Sequence, residues 1–315
     1  MSKTRTLLMS GTALLAGLLA VQAPANAKDL TAIGVTMGSL GNPYFVALTK
    51  GIKAEANAGG GNKVSVTAVS ADYDLNKQFT QIDNFIAAGV QMIVLNAVDP
   101  NAILPAIKRA QAAGIVVVAA DVAATGADAT VETDNTLAGS LSCDFLAKKL
   151  GGKGNVVIQN GPQVSSVIDR VKGCKAALAK SPDIKILSSD QDGKGSRDGG
   201  LQVMQGALIR YPDLNGVFTI NDPQAIGSDL AAKQQNRTGL VITSVDGAPD
   251  IVQAIKTHGM IAASASQDPY GMGRLATKVG MAILAGHPPA DKITLMTPKL
   301  IDADNVDSYV GWTDH

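Results

Sequence analysis

Aromatic and histidine residues are scarce in this chain. Aromatics make up 3% of its 315 residues, Trp occurs once, and the three histidines (His258, His287 and His315) form no cluster. Lys plus Arg and Asp plus Glu both number 27, so the formal net charge is zero. Because there is neither a basic excess nor a run of like charge, the composition favours neither a nucleic acid nor a membrane surface as the partner.

Cysteine is nearly absent as well. Cys143 and Cys174 are too far apart, with no nearby His, to show the ligand spacing of a zinc site, and no metal site is predicted. Two alternatives remain for them. They could pair in an oxidising compartment and close a loop of about 31 residues, or they could be separate buried thiols, since both lie in helical patterns among small and apolar residues.

Long apolar runs are absent after the first 27 residues. Lys3 and Arg5 precede an uncharged apolar stretch over 7–21, and Ala25-Asn26-Ala27 has the pattern of a signal-peptidase site. We therefore predict a cleaved signal peptide over 1–27 and an exported mature protein. The alternative, an uncleaved anchor, needs an apolar span of about 20 residues, and this stretch is shorter.

Short β-branched runs alternate with helical patterns along the mature chain, which is typical of α/β proteins. The strand runs are continuously apolar, as strands buried on both faces of a parallel sheet require. The pattern occurs twice, so the sequence predicts two doubly wound units, with a crossing near 122–135 and one or two last strands after Ile293. Strands are predicted at 30–37, 63–71, 91–98, 115–121, 154–159, 184–189, 216–221, 240–245 and 261–266, and helices at 43–57, 75–88, 101–113, 136–150, 166–180, 198–210, 223–235, 249–257 and 269–285.

Polar residues follow nearly every predicted strand. Parallel sheets bind ligands outside the carboxyl ends of their strands, so two facing sheets would share one cleft. Carboxylates, amides, one guanidinium and two aromatic rings would converge there, and this combination suits a ligand with hydroxyls and an apolar face. The candidates are Asn42, Tyr44, Phe45, Asn96, Asp99, Asp121, Gln159, Asn160, Asp169, Arg170, Asn221, Asp222, Asp246 and Gln267.

An alternative for each Asn and Asp is a helix cap or a turn. Asp222-Pro223 and Asp268-Pro269 are predicted to be N-caps followed by Pro at the first helical position. Catalysis has little support, because no His follows a strand and neither a G-x-S-x-G elbow nor a Walker A motif is present. The sequence predicts a binding protein without a cofactor, not an enzyme.

Six short motifs occur in an order and spacing that cover essentially all of 29–310. With them the chain resembles the periplasmic sugar-binding proteins of the ribose-binding type (periplasmic-binding-protein-like I), which feed ATP-driven ABC importers. The motifs are Gly41-Asn42-Pro43-Tyr44-Phe45, Thr133-Asp134-Asn135, Asp169-Arg170-Val171-Lys172-Gly173, Gly216-Val217-Phe218-Thr219-Ile220-Asn221-Asp222, Val245-Asp246-Gly247-Ala248-Pro249-Asp250 and Ala265-Ser266-Gln267.

The resemblance implies two lobes joined by a three-strand hinge, with crossings near Thr133-Asp134, Gln267-Asp268 and Thr297-Pro298. The N-terminal lobe would comprise 28–133 plus 268–297, and the C-terminal lobe 134–267 plus 298–315. A monosaccharide or polyol would be held from the first lobe by Asn42, Tyr44, Phe45 and Asp121, and from the second lobe and hinge side by Arg170, Asn221, Asp246 and Gln267. The expected protein is a monomer that closes around its ligand and delivers it to an inner-membrane permease.

The chain departs from ribose binders at two places. They carry Arg after the Asp at position 121, where this chain has Val122, and an aromatic in the loop before Leu201, where it has Gly193, Gly195 and Ser196. One guanidinium and one ring are thus missing, which leaves room for a polyol other than ribose. The alternative function is a binding protein that signals to a chemoreceptor or sensor kinase. A transcriptional regulator would need an N-terminal DNA-binding helix pair in place of the signal, and an exported hydrolase is favoured least.

Overall fold

The computed structural model describes residues 30–58 and 63–312, and the predicted signal over 1–27 lies outside them. Within these ranges no helix is both long enough and apolar enough to cross a bilayer. The described chain forms two six-stranded sheets with interleaved helices. The elements are β1 (Ala32–Met37), α1 (Pro43–Ala56), β2 (Ser65–Ser70), α2 (Leu75–Ala87), β3 (Met92–Leu95), α3 (Leu104–Ala112), β4 (Val116–Ala120), β5 (Ala129–Thr133), α4 (Asn135–Lys149), β6 (Lys153–Gln159), α5 (Ser165–Leu178), β7 (Asp183–Ser188), α6 (Arg197–Arg210), β8 (Leu214–Thr219), α7 (Asp222–Gln234), β9 (Val241–Asp246), α8 (Pro249–Lys256), β10 (Ile261–Ser266), α9 (Pro269–Leu284), β11 (Ile293–Met296), β12 (Lys299–Asp302) and a final 3-10 turn (Val306–Ser308).

The two sheets have matching topologies. The first has the strand order β11-β5-β4-β3-β1-β2, and the second has the order β12-β10-β9-β8-β6-β7. Neighbouring strands pair in parallel except β10 and β12. In each sheet the order reverses beside the lobe's first strand, between β1 and β3 or between β6 and β8, and such a switch point opens a crevice at the carboxyl ends of the strands. The predicted fold class, two doubly wound lobes, is confirmed.

Within the described chain, the backbone passes between the sheets three times. β5 of the first sheet leads through Asp134 into α4, which packs on β9 and β10 of the second. The chain returns after β10, through Gln267-Asp268, into α9, which packs on β4 and β5. It crosses again at Thr297-Pro298, between β11 and β12. Residues beside these passages are the ones that a hinge motion would rearrange.

The segment over 122–135 contains a strand that the sequence did not predict. β5 pairs in parallel with β4 on one side and with β11 on the other, and all five of its residues are buried. Its polar residues Thr130, Glu132 and Thr133 interrupt the apolar run that identified the other inner strands. Backbone pairing on both sides therefore stabilises a segment whose side chains do not indicate a strand.

One of the two predicted caps is wrong. Asp268 caps α9 as predicted, and its carboxylate accepts a hydrogen bond from the Gly271 amide at 2.7 Å. Asn221, not Asp222, caps α7. Asp222 is the first helical residue, and its buried carboxylate accepts hydrogen bonds from the Ser264 hydroxyl and the Ala248 amide, both at 2.7 Å, and from the Ser244 hydroxyl. Asp222 thus connects the start of α7 to β9 and β10 of its own lobe by hydrogen bonds.

Helices α4 and α5 pack unusually closely. A Cβ atom added to Gly139 would come within 2.0 Å of the Arg170 carbonyl oxygen, and one added to Gly173 would come within 2.0 Å of the Thr136 carbonyl oxygen. Of the two alternatives that the sequence left open, the structure has the disulfide: Cys143 and Cys174 are bonded with their Cα atoms 5.0 Å apart. These close contacts position the backbone of Arg170.

Removing the disulfide is expected to destabilise the second lobe. The closed loop spans 31 residues, and in the chain-entropy model replacing both cysteines by Ala lowers the free energy of unfolding by roughly 3–4 kcal/mol. Urea denaturation followed by circular dichroism measures the loss, with the dithiothreitol-reduced wild type as the matched control. Equal unfolding midpoints for the double variant and the oxidised wild type would contradict the prediction.

Candidate functional site

All eight residues that the sequence assigned to ligand binding line one cavity between the carboxyl edges of the two sheets. From the first lobe come Asn42, Tyr44 and Phe45 at the start of α1, and Asp121 just after β4. The second lobe contributes Arg170 from α5, Asn221 before α7 and Asp246 at the end of β9, while Gln267 lies at a crossing between the lobes. The two departures from ribose binders, Val122 and Gly195, also line this cavity.

Asn42 and Asn221 cap helices and line the cavity at the same time. The Asn42 side chain accepts a hydrogen bond from the Tyr44 amide at 3.0 Å and caps α1. The Asn221 side chain accepts one from the Gln224 amide at 3.2 Å and caps α7, while its Nδ2 donates to the Gly195 carbonyl at 2.9 Å. Each of these residues can therefore cap a helix and also contact a ligand. The capping hydrogen bonds fix both side chains at the cavity wall.

Arg170 provides the positive charge of the cavity. Its Nε donates to Asn135 Oδ1 at 2.8 Å, and its Nη1 donates to the Ile220 carbonyl at 2.8 Å and lies 3.6 Å from Asp246 Oδ1. Both members of this ion pair are almost fully buried, with side chains 5% and 4% exposed. Because two protein acceptors hold the guanidinium, it presents a fixed geometry to the cavity.

Asp121 has an unused hydrogen-bond acceptor. Its Oδ2 accepts from Asn96 Nδ2 at 3.0 Å, whereas Oδ1 is buried and has no hydrogen-bond partner among the described residues. Burial raises the pKa of Asp121, although the Arg170 guanidinium and the neighbouring hydroxyl of Tyr44 lower it. The backbone of Asp121 has φ of 71°, a left-handed conformation that is uncommon outside Gly and that often marks functional sites. An unsatisfied buried carboxylate oxygen of this kind calls for a donor from a ligand or from solvent.

Gln267 connects the lobes beside the cavity. Its Oε1 accepts hydrogen bonds from the hydroxyls of Tyr44 and Thr133, at 3.2 and 2.7 Å, and its Nε2 donates to Asp246 Oδ1 at 2.7 Å. Burial raises the pKa of Asp246 to about 7, opposed chiefly by Arg170. The Gln267 side-chain amide therefore joins Tyr44 and Thr133 of the first lobe to Asp246 of the second, at a point where the chain passes between the lobes.

The only tryptophan of the sequence lies next to this junction. Trp312 Nε1 donates to the Asp246 carbonyl at 3.0 Å, and its ring packs edge-on against Tyr44 with the centroids 5.5 Å apart. Burial also raises the pKa of Tyr44 well above its usual value, so this phenol stays protonated and can donate. Trp312 fluorescence would report rearrangement of the two lobes around Tyr44 and Asp246.

Several cavity residues were not assigned to the site from the sequence. Asn96, a strand-end candidate that the resemblance did not assign to the ligand, orients Asp121 and accepts from the Gly38 amide at 3.0 Å. Tyr73, which follows the edge strand β2, also lines the cavity. The chain has few aromatic residues, and this scarcity was the one signal that could have drawn attention to Tyr73. The remaining unassigned wall residues are Pro162, Val164, Ser166, Val167 and Ile220.

Glu132 is expected to make stability pH-dependent. Burial, together with Asp121, Asp169 and Asp134, raises its pKa from 4.5 to about 7, and its Oε2 is buried without a hydrogen-bond partner among the described residues. The folded state thus binds this proton more tightly than the unfolded state, so the contribution of Glu132 to stability falls as the pH rises from about 4.5 to about 7.

Glu132→Gln removes this effect. The free energy of unfolding of the variant, minus that of the wild type, should be larger at pH 7.5 than at pH 5, as measured by urea denaturation at both pH values. Asp83→Asn, at an exposed ion pair with Arg109, is the control and should show no such increase. A difference for Glu132→Gln that is independent of pH would contradict the assignment.

Residues 33–288 match the periplasmic binding protein domain family. The chain is 34% identical to the ribose import binding protein of Bacillus subtilis over 265 residues, which cover 83% of this chain and 84% of the relative. It is 31% identical over 260 residues to the xylitol-binding protein of Mycolicibacterium smegmatis, covering 81% and 72% of the two chains. The solved structure of an ABC transporter solute-binding protein of Actinobacillus succinogenes with bound D-allose superposes with a TM-score of 0.81 at 26% identity, covering 89% of this chain and 100% of that one. The chain belongs to the periplasmic binding protein family.

Proposed function

We propose that this protein captures a monosaccharide or polyol in the periplasm and delivers it to an ABC importer. The observation that carries the proposal is the buried Asp121 Oδ1, which lacks a hydrogen-bond partner among the described residues and belongs to a residue that lines the same cavity as Arg170 and Asp246. A hydroxyl group both donates and accepts, so one ligand hydroxyl can donate to Asp121 while another accepts from Arg170.

The charges of the cavity favour a neutral ligand. Two carboxylates, Asp121 and Asp246, and one guanidinium, Arg170, leave no positive excess to hold a carboxylate or phosphate group. Burial raises the pKa of both carboxyls, which further reduces any attraction for a cation. Amides from Asn42, Asn221 and Gln267 add uncharged donors and acceptors, as a hydroxylated ligand requires.

The apolar walls suit the carbon-bound face of a sugar. Phe45 and Tyr44 lie edge to face with their ring centroids 5.4 Å apart, and both line the cavity with Val122. Aromatic rings offer a flat apolar surface on which C–H groups can pack.

Binding would favour the closed arrangement of the lobes. A ligand that contacts Asp121 on one lobe and Arg170 on the other forms both sets of contacts only when the cleft is closed, and it therefore shifts the equilibrium towards that state. We propose that the mature protein starts after Ala27, works as a monomer and presents the closed lobes to the permease; signalling to a chemoreceptor or sensor kinase is the alternative output.

A thermal-shift screen tests the proposal. At a ligand concentration of about 100 Kd, binding adds about 2.7 kcal/mol to the free energy of unfolding, which raises the melting temperature by several degrees. The panel comprises D-ribose, D-apiose, D-allose, xylitol, glycerol and myo-inositol, with sodium acetate and spermidine as charged controls. At least one neutral compound should raise the melting temperature; a shift with the charged compounds alone would overturn the proposal.

A further inference from the structure

The cleft between the lobes contains a second, larger space next to the cavity that holds Asp121 and Arg170. The space that a water-sized sphere can enter is about 480 Å³ in this outer cavity, against about 40 Å³ in the inner cavity. Three residues line both spaces and therefore form their boundary: Asn42, Tyr73 and Gly195. The outer cavity is lined in addition by Ser39, Gly41, Pro43, Lys194, Ser196, Arg197, Pro223, Ala248, Asp250 and Trp312.

Tyr73 has the only large side chain at this boundary. Gly195 has none, and the Asn42 side chain is engaged in capping α1. Tyr73 belongs to the first lobe, yet its hydroxyl oxygen lies 3.9 Å from the position that a Cβ atom on Gly195 of the second lobe would occupy. The phenol ring therefore spans the cleft and separates the two spaces.

The ring is fixed from its own lobe. The Tyr73 amide donates to the Gly38 carbonyl at 3.0 Å, and a Cβ atom on Gly38 would come within 2.8 Å of Tyr73 Cε1. Asp72 and Tyr73 have φ of 52° and 55°, and the Asp72 carboxylate accepts hydrogen bonds from Ser70 and Lys77. A bulky residue with positive φ is an outlier that persists only where its surroundings impose it, and such residues cluster at ligand sites.

The facing wall on the second lobe is also held in place. The Gly195 carbonyl accepts from Asn221 Nδ2, and its amide donates to Gln224 Oε1, both at 2.9 Å. Gly195 has φ of 60°, so a side chain there is disfavoured. Among the described residues the Tyr73 hydroxyl has no hydrogen-bond partner, which leaves it available to a ligand.

We propose that Tyr73 is a specificity-determining residue that limits the ligand to one monosaccharide or polyol unit by closing the inner cavity. The inference rests on the proposed function. A substituent on the hydroxyl that points towards Tyr73 would collide with the ring, although the outer cavity behind it has room for that substituent. Truncating Tyr73 joins the two spaces and admits such extended ligands.

The test compares parent compounds with extended ones by isothermal titration calorimetry. The parents are D-ribose, D-allose, xylitol and myo-inositol, and the extended probes are their methyl glycosides and all positional mono-O-methyl ethers. For the wild type, extension towards Tyr73 should raise Kd by about 100-fold or more, the scale of a steric clash in a closed pocket. In Tyr73→Asn, the Kd of at least one extended isomer should be lower than its wild-type value by about tenfold or more.

Two further variants complete the design. Asn tolerates positive φ, so Tyr73→Asn preserves the backbone, and Tyr73→Gly makes the same test should the Asn variant fail to fold. Tyr73→Phe keeps the ring and should keep the wild-type discrimination. The inference is overturned if the truncated variants discriminate as the wild type does, or if the wild type binds every extended isomer as tightly as its parent. If the wild type binds no parent compound, the proposed function fails, and the inference fails with it.

Discussion

Asp121→Asn is expected to weaken sugar or polyol binding by about 10- to 100-fold, because a hydrogen bond to a charged group contributes about 1.5–3 kcal/mol. The variant keeps an acceptor for Asn96 Nδ2, which now bonds to Asp121 at 3.0 Å. It exchanges the unpartnered Oδ1 acceptor for a donor. Asn also tolerates the backbone φ of 71°, so the local conformation should persist.

The same substitution should stabilise the protein in the absence of ligand. Burial raises the pKa of Asp121, so the folded state disfavours the charge at neutral pH, and an uncharged amide removes that penalty. Titration calorimetry and thermal denaturation on one preparation measure both effects. Asp83→Asn, at the exposed ion pair with Arg109, is the control and should leave binding unchanged. Unchanged affinity in Asp121→Asn would remove Asp121 from the binding site.

Arg170→Met is expected to abolish detectable binding and to destabilise the second lobe by about 3–5 kcal/mol, the usual loss when one partner of a buried ion pair is removed. The variant leaves Asp246 without its countercharge, and it leaves Asn135 Oδ1 and the Ile220 carbonyl without a donor. Affinity should fall by more than about 100-fold, since the guanidinium is the only cationic group in the described cavity lining.

A double variant separates these two effects. Arg170→Met with Asp246→Asn also removes the buried carboxyl that lost its partner, so at least half of the lost unfolding free energy should return, while binding should remain undetectable. Urea denaturation and calorimetry of the single and double variants supply the comparison. If the double variant is as unstable as Arg170→Met alone, the unpaired Asp246 carboxyl is not the source of the destabilisation.

The sequence was sufficient to predict the fold because buried parallel strands and their helices carry strong local signals. Continuous apolar runs such as Met92–Leu95 identified inner strands, and Asn or Asp before a helix marked many of its starts. The topology placed residues after parallel strands at one edge of the sheet, and the resemblance to ribose-type binding proteins selected the eight ligand candidates. Candidates as distant in the sequence as Asn42 and Gln267 line one cavity in the structure.

The elements that the sequence missed depend on non-local contacts. β5 (Ala129–Thr133) owes its strand to pairing with β4 and β11, and β11 lies about 160 residues later in the chain. Asp222 was predicted to cap a helix because Pro223 follows it, but the cap of α7 is Asn221. The Asp222 carboxylate instead accepts hydrogen bonds from Ser244 and Ser264 on neighbouring strands. No local pattern distinguishes these two uses of an Asp before Pro.

Tyr73 was missed for a related reason. Its position depends on positive φ at Asp72 and Tyr73 and on the approach of Gly195 from the other lobe. Residue propensities disfavour positive φ for Tyr, so the sequence argues against the conformation that places the ring in the cleft. The approach of Tyr73 to Gly195 of the other lobe is a contact between residues more than a hundred positions apart, which no local pattern indicates.

Isothermal titration calorimetry of the mature wild-type protein against the neutral sugar and polyol panel tests the central claim most directly. We predict that at least one compound binds with one site per chain and a Kd in the micromolar range or below, about −8 kcal/mol or more favourable. Asp121, Arg170 and Asp246 would then act as the charged hydrogen-bonding groups of a closed cleft. Absence of saturable heat for every sugar and polyol at millimolar concentration would contradict the claim.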